Sequence, residues 1–206
     1  MSYKIARHIT IRNGQLWNND ELFYEAKVND SSAFLNALYQ HFQIAYPKFH
    51  KMDGLSRLGF LAAEFLLKDE DLINRFDPYR IGIVLANCHS SLDTDLHYHR
   101  QLTNGTASPA LFVYTLPNIL IGEICIRQGI KGENIFFISD KYEVSLQVNY
   151  VNNLLDTNVI DACICGWVEW IEGRYEAFLY LVQKETSPLD SLHLPQIVQE
   201  FYKQHQ

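Results

Sequence analysis

The sequence predicts an α/β domain in which strands and helices alternate and pack in layers. Two observations carry that expectation. Continuous apolar runs at residues 81–86 and 134–138 have the length of buried strands, and segments with helical apolar spacing separate them. Two further strand-like segments, residues 159–168 and 175–182, lie on either side of the turn dipeptide Glu172-Gly173. The chain has 206 residues, 48% hydrophobic and 20% charged. That length favours one domain over residues 1–206, large enough to bury roughly 70% of its unfolded surface.

The elements follow in order. Residues 4–16 set Ile5, Ile9 and Ile11 among polar residues and contain Asn13-Gly14, a hairpin signal. Asp30-Ser31-Ser32 supplies N-cap types ahead of a helix faced by Phe34, Leu35, Leu38, Tyr39, Phe42 and Ala45, which Pro47 is expected to end. A second helix starts near Leu55. Its face of Leu55, Leu58, Gly59, Ala62, Ala63 and Leu66 is narrow and rich in small residues, which lets a helix approach a sheet closely. After Asp77-Pro78 comes the strand at 81–86, then a polar segment running to Ser108-Pro109. Pro117, Asn118, Glu123 and Arg127 interrupt the apolar stretch 110–130. Gly129 and Gly132 bracket a turn before the run 134–138, which reads as a central strand. Val144, Val148, Val151 and Leu155 mark another helix, and Ser191 opens the last one, faced by Leu194, Ile197, Val198, Phe201 and Tyr202.

Charge and cysteines exclude several classes. The net charge is −7, from 17 basic and 24 acidic residues, and no Lys/Arg cluster gives the footprint of a nucleic-acid binder. No run reaches the ~18 apolar residues of a membrane span, and the first residues lack the apolar core of a signal peptide. A cytoplasmic protein without a cofactor is the expectation. Cys88, Cys125, Cys163 and Cys165 form no C-x-x-C pair, and three sit in apolar runs, as free thiols do in a reducing compartment. Cys163 and Cys165 project to one face of a strand, and Trp167, Trp170 and Tyr175 are expected to pack near the hairpin.

Two polar constellations offer chemistry. Cys88-His89-Ser90-Ser91 follows a strand, and Cys88 is the alternative nucleophile. Neighbours on an extended chain point to opposite faces, however, so an ordinary loop is the first expectation. His89, Asp93, Asp95, His97 and His99 form the densest set of potential metal ligands. His97 and His99 share a face if extended, and His89, Asp93 and His97 share one if helical. The spacing matches no zinc pattern, so a solvated polar segment without metal is expected.

Four pieces carry a family resemblance. They are Lys51-Met52-Asp53-Gly54-Leu55-Ser56-Arg57-Leu58-Gly59; Ser108-Pro109-Ala110-Leu111-Phe112 with Leu116-Pro117-Asn118; Ile124-Cys125-Ile126-Arg127-Gln128-Gly129-Ile130-Lys131-Gly132; and Asp161-Ala162-Cys163-Ile164-Cys165-Gly166-Trp167-Val168-Glu169. In this order and spacing they resemble the N-terminal half of the β-ketoacyl synthases. The resemblance implies a thiolase-like half-fold, a mixed sheet layered with helices. In that family the nucleophilic cysteine lies nine residues beyond the glycine matching Gly132 and fourteen before the leucine matching Leu155. Both routes land on Lys141.

Around Lys141 stand Asp140 and Tyr142, where active members carry small residues. A helix N-terminus lowers a thiol pKa and offers N–H groups to an oxyanion. A lysine ammonium there is no acyl acceptor at neutral pH and opposes the helix dipole by ~0.3–1 kcal/mol. An ordinary surface lysine is the default reading; a cap, or a reach into a partner's pocket, is the sharper one. Active members are also about twice this length and draw further catalytic residues from a second half, so condensation by this chain alone is not expected.

The resemblance therefore implies a non-catalytic, chain-length-factor-like subunit. Its partner would be a full-length β-ketoacyl synthase and, through it, an acyl carrier protein, in fatty-acid, polyketide or aryl-polyene biosynthesis. A homodimer in isolation is compatible with the resemblance, which does not fix the oligomeric state of a lone copy. Asn134, Ile135, Phe136, Phe137 and Ile138 would pair across the dimer axis, and Phe112, Tyr114, Thr115, Leu116 and Ile119 would line the acyl tunnel. An exposed Ile135-Phe136-Phe137-Ile138 edge is an aggregation hazard that demands cover. The alternatives are a self-standing acyltransferase or hydrolase using Cys88, and a homodimeric binder of acyl chains.

Overall fold

The computed structural model describes residues 3–27, 30–184 and 191–205. Strands β1 (Lys4–Arg12) and β2 (Gln15–Asn18) turn through Asn13-Gly14 at φ 52° and 75°, the primed geometry that Asn-Gly favours. Strand β3 (Glu21–Glu25) extends this meander; its outer position leaves it half exposed, so no alternation announced it. Helix α1 (Ser31–His41) is capped by the Asp30 carboxylate, which accepts the Ala33 N–H at 2.8 Å. It stops before Gln43, which turns back at φ 51°; Pro47 opens a separate 3-10 turn rather than ending the helix.

Helix α2 (Gly54–Leu66) is capped by Asp53 and buried on nearly every side, not along a narrow face. Its small residues do serve close approach: a Cβ on Gly59 would meet Leu120 Cδ1 at 2.5 Å. The short α3 (Leu72–Arg75) precedes β4 (Ile81–Asn87). The polar segment after β4 is itself a helix, α4 (Leu92–Thr103), in which only Thr94 is buried. Then come α5 (Pro109–Phe112), α6 (Ile119–Gln128), β5 (Asn134–Ile138) and α7 (Val144–Asp156). Strands β6 (Ala162–Ile171) and β7 (Arg174–Gln183) form the expected hairpin through Glu172-Gly173. The last helix, α8 (Pro195–Lys203), starts at its proline rather than at Ser191, and Leu194 stands just ahead of it.

The seven strands form one sheet in the order β3-β2-β1-β7-β6-β4-β5. β4 pairs in parallel with both β5 and β6, while β7 runs antiparallel to β6 and β1. Strand periodicity divides the core in two. Ile81, Ile83, Leu85, Ile164, Val168 and Leu179 face α1, α2 and α6; Val84, Ala86, Cys163, Cys165, Trp167 and Tyr180 face α7 and α8. Gly166 sits in β6 at φ 150°, and a Cβ there would meet the Phe178 carbonyl oxygen at 2.0 Å. Only glycine fits that crossing.

One strand lies elsewhere than expected. β5 is at the sheet's edge, not its centre. Its apolar run has another cause: Phe136 packs on one core and Ile135 and Phe137 on the other, so helices cover both faces while the outer backbone edge stays open.

Candidate functional site

Three segments meet where the parallel strands end. After β4, the Asn87 side chain ties off a sharp turn: its amide nitrogen donates to the Ser90 carbonyl at 2.8 Å and its oxygen accepts the Ser90 N–H at 2.9 Å. Ser90 itself adopts φ 52°. The turn carries Cys88 and His89, and Glu169 of β6 holds them. Glu169 Oε2 accepts the backbone N–H of Cys88 at 2.8 Å and of His89 at 3.3 Å, and Oε1 accepts that of Trp170 at 3.1 Å.

His89 Nδ1 also lies 3.3 Å from Glu169 Oε2, but it is not aligned for a hydrogen bond and is shut off from solvent. The Cys88 thiol, a His89 ring nitrogen and a Glu169 oxygen lie within 4.8 Å of one another. Burial pushes the Cys88 thiol pKa up, and the charges of Glu169 and Asp140 push it further. Glu169 closes one of the four family-like pieces, but the sequence assigned it no role at a site. Its signal was a lone carboxylate in an otherwise apolar strand.

The loop bearing Lys141 abuts this turn, for the Ser139 N–H donates to the Asn87 carbonyl at 3.0 Å. Lys141 is 78% exposed and 3.6 Å from Glu143 Oε1. Beneath it Tyr142 is buried, donating its hydroxyl to Gln147 Oε1 at 2.5 Å. Gln147 in turn donates to the Val84 and Gly166 carbonyls, each at 3.0 Å, which staples α7 to the sheet. The Tyr180 hydroxyl lies 3.3 Å from Gln147 Oε1 and 3.2 Å from His193 Nε2, and His193 Nδ1 is 2.8 Å from Asn152 Oδ1. Side chains and their hydrogen bonds thus fill the space behind Lys141.

The segment 112–119 lies beside the same strand ends, because Ser91 Oγ donates to the Thr115 carbonyl at 2.9 Å. Phe112 and Leu116 are each 58% exposed, and Ile119 is half-buried. Tyr114 departs from the expected lining role. It points into the core, where its hydroxyl donates to buried Glu123 at 3.2 Å, which also binds Lys48 Nζ at 2.6 Å. Turning Tyr114 outward would cost the buried carboxylate one of its three side-chain partners, leaving Lys48 and Tyr46.

His89, His97 and His99 do not converge. His97 and His99 ride on α4, where residues two apart diverge by about 200°, while His89 precedes that helix. Asp93 and His97 instead border a cleft of about 440 Å³ with Asp53, Arg57 and Glu172. Among the described residues, Cys88, His89 and Glu169 are the group spaced to share a metal. Cys163 and Cys165 are buried on one face as expected, and no helix among the described residues is long and apolar enough to cross a membrane.

No family model matches the sequence, and no curated protein matches it. Solved structures do. The ishigamide ketosynthase/chain length factor superposes with a TM-score of 0.66 at 16% identity, over 92% of this chain and 64% of that one. A chain of the ketosynthase ApeO in complex with its chain length factor ApeC, from Xenorhabdus doucetiae, gives 0.59 at 14% identity, over 98% of this chain and 90% of that one. A type II polyketide synthase acyl carrier protein in complex with its ketosynthase bound to the hexaketide gives 0.62 at 16% identity, covering 89% and 62%. The chain thus spans less than two thirds of the first and third of these and most of the second. Its architecture, a mixed sheet layered with helices, is the thiolase-like fold of the ketosynthases and chain length factors.

Proposed function

We propose that this chain is a non-catalytic, chain-length-factor-like subunit that pairs with an active ketosynthase. The open edge of β5 carries the reading. In a parallel pair the N–H and C=O of one residue point the same way, and alternate residues face alternate sides. The Glu133 carbonyl and the Ser139 N–H both bond to β4, so the backbone groups of Asn134, Phe136 and Ile138 point away from the sheet. Strand addition by a partner would satisfy them and bury Ile138, which is 50% exposed.

Lys141 stands at the position where the fold's active members carry their nucleophile, and it would leave the condensation to the partner. The exposed Phe112 and Leu116, with Thr115 and Ile119, would form this subunit's share of an acyl tunnel, the chemistry being fatty-acid, polyketide or aryl-polyene assembly. An acyl carrier protein would reach the complex through the partner. Cys88 as a self-standing nucleophile is disfavoured, since its surroundings raise the thiol pKa where nucleophilic catalysis needs it lowered.

Affinity purification of the tagged chain from its own cells, with mass spectrometry of what is bound, tests the proposal. Recovery of a ketosynthase near one-to-one supports it. Recovery of the chain alone, or only with further copies of itself, ends it.

A further inference from the structure

We propose that Cys88, His89 and Glu169 form a binding site for a borderline divalent metal, zinc(II) above all, with one coordination position left open. The three donors are a thiol, an imidazole and a carboxylate, a set that suits zinc better than magnesium or calcium, which take oxygen ligands. The donors stand close to the spacing a metal needs, with one pair already at it. Bond lengths of about 2.0–2.3 Å in a tetrahedral site put neighbouring donors about 3.4 Å apart. The His89 Nδ1 to Glu169 Oε2 separation is already 3.3 Å, and all three donors fall within 4.8 Å.

The orphaned ring nitrogen is the second observation. His89 Nδ1 has no hydrogen-bond partner among the described residues, although it is closed to water and faces a carboxylate. A buried polar atom left so calls for an occupant. A cation between the ring and the carboxylate would give the nitrogen a partner. It would also neutralise a place where Glu169 and Asp140 already bring negative charge onto the Cys88 thiol. Binding would release the thiol proton and retain the metal as a thiolate complex.

The cradle is built before any metal arrives. The reciprocal Asn87–Ser90 bonds fix the turn, and the N–H groups of Cys88, His89 and Trp170 fix the Glu169 carboxylate. Such hydrogen bonds to a ligating carboxylate are what orient it in metal centres. The site lies at the carboxyl ends of adjacent parallel strands, where open α/β sheets bind their ligands.

The test uses the full chain, stripped by chelator and titrated with cobalt(II) as a spectroscopic probe, then with zinc(II) in competition. The expected result is one metal per chain by native mass spectrometry, with a thiolate-to-cobalt charge-transfer band in the near ultraviolet. Cys88→Ser should abolish that band. Glu169→Gln should weaken binding at least about tenfold while keeping a carbonyl acceptor for the Cys88 N–H. Thermal unfolding of the apo variants shows that they fold. A chain that takes up no stoichiometric metal, or one whose charge-transfer band survives Cys88→Ser, overturns the proposal.

Discussion

Two buried histidines set how single residues make this fold sensitive to acid. His193 bridges Tyr180 and Asn152, and burial lowers its pKa to about 3. His8 stacks on Phe201 with centroids 4.4 Å apart; burial lowers it to about 4, the charge of Asp20 opposing and that of His205 adding. Both lie below the unfolded value near 6.5, so the unfolded chain takes up these protons first as pH falls. Their contribution is complete above pH ~6.5 and is lost on the way down to about 4 for His8 and about 3 for His193. At pH ~5 the loss is on the order of 2 kcal/mol for each histidine. Asp53, whose carboxyl pKa burial raises, shifts stability in the opposite sense. Urea unfolding of the parent and of His193→Gln between pH 7 and 5 separates these effects, because Asp53 and His8 are common to both. The variant should lose clearly less stability than the parent across that range. Equal losses would mean that His193 is not held neutral by the fold.

At the scale of the element, β5 decides what the molecule can join. An apolar run is legible in sequence as a strand covered on both faces, and residues 134–138 form one. Whether such a strand is central or terminal depends on strand order, which no local pattern encodes. The turns at Asn13-Gly14 and Glu172-Gly173 were legible because turn chemistry is local. Helix α4 was not, because a helix with one buried residue leaves no apolar period to read. The candidate metal site divides the same way. Cys88 and His89 adjoin in sequence, whereas Glu169 reaches them only because β4 pairs with β6, setting Ala86 opposite Trp167. The outward N–H of Ile138 gives a direct test of the edge. Ile138→Pro deletes that donor while sparing the groups bonded to β4, and an edge strand tolerates proline there. Affinity for the co-purified partner should fall at least about tenfold, the equivalent of ~1.4 kcal/mol, with little change in thermal unfolding. Unaltered affinity would place the interface on another surface.

The whole molecule carries a net charge of −7, and that charge bears on which partner β5 accepts. Two copies pairing their β5 edges around a two-fold axis would run antiparallel. The Glu133 end of each strand would then lie beside the Asp140 end of the other, setting carboxylates near carboxylates on top of the overall repulsion. A partner without those acids escapes the local repulsion, so the charges at the strand ends favour a different chain over a second copy. These like charges fix a sign that sedimentation can read. Self-association should strengthen as salt rises, since a Debye length of about 10 Å at 0.1 M screens the like charges. Asp140→Lys should tighten it several-fold at low salt, in keeping with roughly 1 kcal/mol for an exposed charge pair, and should flatten the salt dependence. Self-association that weakens with added salt, or that ignores the substitution, would show that copies meet through a surface remote from the open edge.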